Sequence, residues 1–215
     1  MNNLPLPELA LLGIAYLSGS LPFCWLLAMA WSRADLRIEG DGNVGAGNLM
    51  AVCGRDVGLA GLVLDVLKGA LPVMLVLAAD EGRIFALLVG AVAVAAHIWP
   101  MWLGFRGGRG AAPALGVALA LYALAMILLL SLGLVVVLLT RNTVVALLVV
   151  MPVIPFIAWA AYGGLLEVLL LISLFLCVGA KDTVDRWQRR AAAARARLAA
   201  PQPAVGPANE QTQTR

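Results

Sequence analysis

Long apolar runs, broken only by short polar islands, decide what this chain can become. They cover 9–31, 57–79, 84–103, 111–139 and 143–162, with a shorter run over 165–179. Most approach or exceed the ~20 residues that a helix needs to cross a bilayer core. Of the 215 residues, 62% are hydrophobic and 13% charged, so a soluble domain has too little polar surface to cover them. Inside lipid only helices and closed barrels satisfy their own backbone. A barrel would alternate in ~10-residue segments, whereas these runs are continuous. The sequence therefore predicts an all-α polytopic membrane protein.

The opening residues carry no Lys or Arg, and no cleavage-type site follows the first run. The first helix is thus expected to remain in place. Cys24, Cys53 and Cys177 have neither disulfide-type nor metal-type spacing and read as small apolar fillers.

Lys and Arg mark the cytoplasmic side. Arg33, Arg37 and Arg55 lie between the first two runs, Arg106 and Arg109 follow the third, and Arg141 precedes 143–162. The tail holds Lys181, Arg186, Arg189, Arg190, Arg195 and Arg197. The polar link around Asp80 has no positive excess and reads as external. All basic clusters share one side only if 111–139 crosses twice, turning near 122–125. Two passes of about 14 residues would each span ~21 Å, short for a ~30 Å core. The charge rule nevertheless favours them. It gives about seven transmembrane helices, N-terminus outside and C-terminus cytoplasmic. Residues 1–180 form the integral domain, 181–200 a basic cytoplasmic helix, and 201–215 a disordered tail. The basic helix is a solvated positive-inside flank or a contact with anionic lipid.

Two polar islands face that cytoplasmic side. The first, EGDGNVGAGNLM over 39–50, contains Gly40, Gly42 and Gly45 in a G-x-G-x-x-G spacing. A dinucleotide fingerprint needs a strand before it and a βαβ unit around it, and neither fits between membrane helices. Glycines do allow left-handed backbone and expose N–H groups, which can form an anion nest. Asn43 and Asn48 add side-chain donors. A nest and a plain turn both remain open. The second island, GFRGGRGAAP over 104–113, adds Arg106 and Arg109 to Gly107, Gly108 and Gly110. Two glycine-rich loops on one face, one cationic, suit a phosphorylated ligand; a positive-inside loop is the simpler reading.

Polar residues also sit inside apolar runs. Asp65 and Lys68, three apart, share a helix face. Charges within a membrane helix are costly and are paired or functional. His97 is the only histidine, so it reads as a hydrogen-bonded structural residue or a general acid–base. Ser18, Gly19, Ser20 and Pro22 read as a packing face or kink.

In order and spacing, these islands resemble the acyl-phosphate-dependent glycerol-3-phosphate acyltransferases of bacteria, the PlsY family. The likeness runs over 16–143. YLSGSLPF resembles the first-helix motif, and DLRIEGDGNVGAGNLM is similar to D-[IL]-R-x-x-G-S-G-N-x-G-A-T-N. DVLKG matches D-x-x-K-G, HIWPMWLGFRGGRG resembles H-x-F-P-x-x-x-x-F-K-G-G-K-G, and LLTRNTVVA resembles T-R-Y-x-S-x-A-S.

The resemblance implies transfer of a fatty acyl group from acyl-phosphate to the 1-hydroxyl of glycerol 3-phosphate. The product, lysophosphatidic acid, begins phospholipid synthesis. It implies no metal and no dissociable cofactor. The expected site contains Asp41, Arg109 and His97 as catalytic groups. Arg37, Gly40, Gly42, Asn43, Gly45, Asn48, Lys68, Gly107, Gly108 and Gly110 hold substrate phosphate. Expected partners are acyl-phosphate, glycerol 3-phosphate or a related phosphorylated alcohol, membrane lipid, and other enzymes of phospholipid synthesis. Nucleic acid is not expected. The location implied is the bacterial inner membrane, with the active face cytoplasmic.

The chain also departs from the pattern. Asp41 stands at the serine of G-S-G-N, Gly47 at the threonine of A-T-N, Ala51 at an arginine, and Arg109 at the lysine of G-G-K-G. Ala180 and Thr183 occupy the places of a functional His and Asn. Asp41 is a candidate general base. The substitutions keep a second reading open, a non-catalytic phosphate- or lipid-binding relative or a partner of an active acyltransferase. A transporter is a weaker third, since no inverted repeat is evident.

The charge pattern makes a direct prediction. A reporter active only outside the cytoplasm should work when fused after Asp80 and stay silent when fused after Arg109 or Lys181. Activity after Arg109 would reverse the orientation.

Overall fold

The computed structural model describes residues 6–141, 149–150, 153–162 and 164–199. All regular structure among them is helical. The elements are α1 (Leu6–Ser20), α2 (Phe23–Ser32), α3 (Ala46–Cys53), α4 (Arg55–Ala78), α5 (Arg83–Ile98), a 3₁₀ turn (Met101–Leu103), α6 (Ala111–Leu121), α7 (Ala123–Thr140), α8 (Val153–Tyr162) and α9 (Leu165–Ala199). By length and composition, Leu6–Ser32, Arg55–Ala78, Arg83–Leu103 and Ala123–Thr140 are able to cross a membrane. Large apolar side chains such as Leu124, Leu134 and Leu139 stand on the outside, as the lipid-facing surface of such a protein requires. The expectation of an all-helical membrane protein holds.

The first span is interrupted where the sequence placed a kink. Pro22 lacks an N–H, so the helix cannot continue through it, and Leu21 and Pro22 separate α1 from α2. The 111–139 run is also interrupted, at Tyr122, within the range expected for a turn. The two pieces are unequal, however: α6 has 11 residues and α7 has 18. At ~1.5 Å per residue α6 alone covers only ~17 Å. Distant side chains meet at the break. Tyr122 donates its hydroxyl proton to the buried Glu167 of α9, and Arg83 donates to the Leu121 carbonyl while lying 5.1 Å from the centre of the Tyr122 ring. At the same residue the backbone leaves helical geometry (φ −138°).

Much of 143–162 falls outside the described residues, which retain α8 and the pair 149–150. The segment expected to be a disordered tail, 201–215, lies outside them as well. The chain divides into two compact units, Met1–Ala180 and Lys181–Arg215. Within the second, Lys181 pairs with Asp185 one turn on, at 2.8 Å.

α4 is the axis of the first unit; α1, α2, α3, α5 and α6 all pack on it. A core of Val73, Val76, Leu87, Val94, Val117 and Leu171 joins α4, α5, α6 and α9. Hydrophobicity alone does not drive helices together in lipid, so close backbone approach matters. The sequence supplies it with glycine. A Cβ on Gly69 would strike the Pro113 carbonyl, one on Gly116 the Val66 carbonyl, and one on Gly19 the Ala93 carbonyl. α4–α6 and α1–α5 therefore meet backbone to backbone.

Gly116→Val should thus separate α4 from α6. Overpacking of this kind costs about 1–3 kcal/mol or more, and it should read as a lower unfolding temperature in detergent. Gly13→Val, whose Cβ position meets nothing within 4 Å, should change little.

Candidate active site

The fold gathers the polar islands at one end of α4 and α5. The deepest part is an ion pair. Lys68 Nζ lies 2.7 Å from Asp65 Oδ1, and both side chains are almost fully buried. Lys68 also donates to the Leu21 carbonyl, beside the Pro22 break, at 2.7 Å. The Cys24 thiol donates to Asp65 Oδ2 at 3.1 Å. His97 Nδ1 stands 3.9 Å from Asp65 Oδ1. Four parts of the chain thus meet at one charge pair. The sequence indicated the Asp65–Lys68 contact through its i,i+3 spacing. Cys24 and His97 had no sequence signal linking them to it, because their approach depends on how α2 and α5 cross α4.

His97 carries this cluster to the second glycine loop. A Cβ on Gly108 would collide with His97 Nε2 and would reach the Val44 carbonyl at 2.8 Å. Only glycine lets the loop lie against the imidazole. The Gly107 and Gly108 amides donate to the Ile98 and His97 carbonyls, at 3.0 and 3.2 Å. These amides therefore fasten the loop to α5, and what the two glycines contribute is room. Gly110, at φ +88°, closes the loop and caps α6. Trp102 Nε1 donates to Ser20 Oγ at 2.9 Å, tying the 3₁₀ turn to the end of α1.

The first glycine loop is built around Asn48, which is buried. Its Nδ2 donates to the Leu36 and Glu39 carbonyls at 3.1 and 2.9 Å, and its Oδ1 accepts the Asp41 amide at 2.9 Å. Gly40 and Gly42 take left-handed φ of +61° and +69°. The Gly42 amide donates to Glu39. The Asn43 amide donates to Asp41 Oδ1 at 2.9 Å. Gly45 then caps α3, whose first amides have no acceptor within their own helix. Arg37 precedes this loop. Its guanidinium binds Asp35 at 2.6 Å and lies over the Trp25 ring. That hydrogen bond holds the Asp35 carboxyl well below the usual carboxylate range.

The two loops meet through charge. Arg109 Nη2 lies 2.7 Å from Asp41 Oδ2, across 68 residues of sequence. The aspartate that stands where the family pattern has serine is therefore paired with the arginine that stands in place of lysine. The sequence identified both positions and gave no sign that they touch. Asp41, Arg109, His97, Lys68, Asn43, Asn48 and the loop glycines are thus assembled in one region.

The sequence model for the family described as Glycerol-3-phosphate acyltransferase matches residues 9–190. The chain belongs to that family. A glycerol-3-phosphate acyltransferase of Pseudomonas paraeruginosa is 38% identical over 164 residues, covering 76% of this chain and 87% of the relative. Glycerol-3-phosphate acyltransferase 4 of Dehalococcoides mccartyi is 41% identical over 133 residues, covering 62% of this chain and 72% of the relative. The crystal structure of PlsY, an integral membrane glycerol 3-phosphate acyltransferase, in its glycerol 3-phosphate form, superposes with a TM-score of 0.73. That match has 26% identity and covers 85% of this chain and 92% of the other. The family resemblance drawn from the islands is therefore correct.

The buried pair gives this member of the family a measurable weak point. Lys68→Met leaves Asp65 without its counter-charge in a site closed to water, a loss of about 3–5 kcal/mol. The variant should yield little folded protein by size exclusion. The double variant Asp65→Asn/Lys68→Met removes both charges and should recover most of the thermal stability.

Proposed function

We propose that this chain transfers a fatty acyl group from acyl-phosphate to the 1-hydroxyl of glycerol 3-phosphate, giving lysophosphatidic acid for phospholipid synthesis. The reaction takes place at the cytoplasmic face of a bacterial inner membrane. The observation that carries the reading is the convergence of both glycine loops on Arg109, beside the buried His97, in a chain of this family.

The chemistry follows from the groups present. Arg109 holds a substrate phosphoryl group through its guanidinium fork, and the Asn43–Asn48 loop and the start of α3 supply further donors. The acceptor hydroxyl oxygen attacks the acyl carbon. The bond from that carbon to the phosphate oxygen breaks, and inorganic phosphate leaves with the electron pair. The hydroxyl proton goes to Asp41, and His97 supports the second loop from below. Arg109 stabilises the charge that moves onto the leaving phosphate. Alignment of the two substrates provides much of the remaining acceleration. An apolar cavity of about 280 Å³ begins at Ala111 and Ala112, immediately after the loop, and runs past Ala118 to Met126 and Leu130. It supports a substrate with a hydrocarbon chain.

The test is turnover of labelled acyl-phosphate and glycerol 3-phosphate by the purified, detergent-solubilised chain. The wild type should form lysophosphatidic acid, and Arg109→Ala should lower kcat/KM by about 10²-fold or more. A wild type that yields no product, beside an active relative under the same conditions, would remove the acyl-transfer reading and favour a binding role.

A further inference from the structure

The Asp41–Arg109 contact places an internal carboxylate on the cation assigned to substrate phosphate. We infer that Asp41 is an exchangeable anion, which Arg109 releases when a substrate phosphoryl group arrives. The inference rests on the acyl-transfer reading of this site and concerns how its occupancy is controlled.

Three observations support exchange over a permanent bridge. First, the partners are unequally anchored. The Arg109 side chain is 18% exposed and that of Asp41 is 47% exposed. The cation is held within the loop, while the carboxylate has water on one side to receive it. Secondly, Asp41 has its own support in the first loop. Its amide donates to Asn48 and its Oδ1 accepts the Asn43 amide, so leaving Arg109 does not strand it. Thirdly, a partly exposed ion pair is weak. A phosphoryl group offers more charge and three oxygens to the same fork, and so outcompetes a single carboxylate.

The exchange has two consequences. Arg109 is kept oriented and neutralised in the empty site, which disfavours capture of weaker anions such as carboxylates. Seating a phosphoryl group also frees the Asp41 carboxylate beside the substrate, where it takes the hydroxyl proton. The loops stay in register meanwhile, because Gly108 remains packed on the Val44 carbonyl and His97.

The test uses the full chain in detergent with Asp41→Asn and Asp41→Ser; the serine keeps an oxygen acceptor for the Asn43 amide. KM is measured separately for glycerol 3-phosphate and for acyl-phosphate, and glycerol 3-phosphate binding is measured by calorimetry without donor. Removing the competitor should strengthen binding of one phosphorylated substrate about two- to fivefold, and that substrate is the one whose phosphate Arg109 holds. A kcat that falls with KM supports exchange and the proton-acceptor role together. A lower KM with unchanged kcat supports exchange and removes Asp41 from proton transfer. Affinities unchanged or weakened for both substrates would overturn the inference, as would loss of folded protein in both variants. The calorimetric arm reads exchange on glycerol 3-phosphate even if acyl transfer is absent, so the two readings fail separately.

Discussion

Everything at the polar end of this protein depends on one charge pair that lipid would otherwise forbid. An isolated Asp or Lys in the hydrocarbon region is expensive. Asp65 and Lys68 escape that cost by binding each other, a thiol and the Leu21 backbone carbonyl. The last contact makes the arrangement more than a local neutralisation. The Leu21 carbonyl, at the Pro22 break in the first span, accepts both the Phe23 amide and Lys68. Lys68 thereby ties α4 to the junction of α1 and α2. His97 reaches the same pair from α5, so the second glycine loop is ultimately oriented by it.

Glycine performs two distinct tasks around this hub. Along α4, α6 and α1 it removes side chains so that backbones touch, replacing the hydrophobic driving force that water would provide. In the loops it permits left-handed turns at Gly40 and Gly42 and contact with the imidazole at Gly108. The sequence reading took the loop glycines as donors of backbone N–H groups to phosphate. Several of those amides instead close the loops on themselves or on α5. Arg109 and the start of α3 lie beside these closed turns.

Fold class was legible because it rests on composition and run length, which tertiary contacts cannot reverse: a chain with continuous apolar runs must place them in lipid as helices. The family was legible because the islands keep their order and spacing. Charge parity asked for a turn near 122–125, and the helix is interrupted at Tyr122, where it meets Glu167 and Arg83, distant residues whose pairing leaves no periodic trace. Arg37 illustrates the same limit. As a basic residue beside a polar loop it read as a phosphate ligand, and its contacts with Asp35 and the Trp25 ring had no part in that reading.

By itself, then, the sequence determined that the protein is helical, that it lies in a membrane, to which family it belongs, and which residue types are available for chemistry. Those properties follow from hydrophobic run length and from local motifs, which are written along the chain. Tertiary structure alone decided that Cys24, Asp65, Lys68 and His97 form one cluster, and that Asp41 and Arg109 touch. Such contacts depend on helix crossings and on two loops meeting in space. The reason is physical: a charge in low dielectric is stable only beside its partner, and the partner is chosen by distance through space, whatever the distance along the chain.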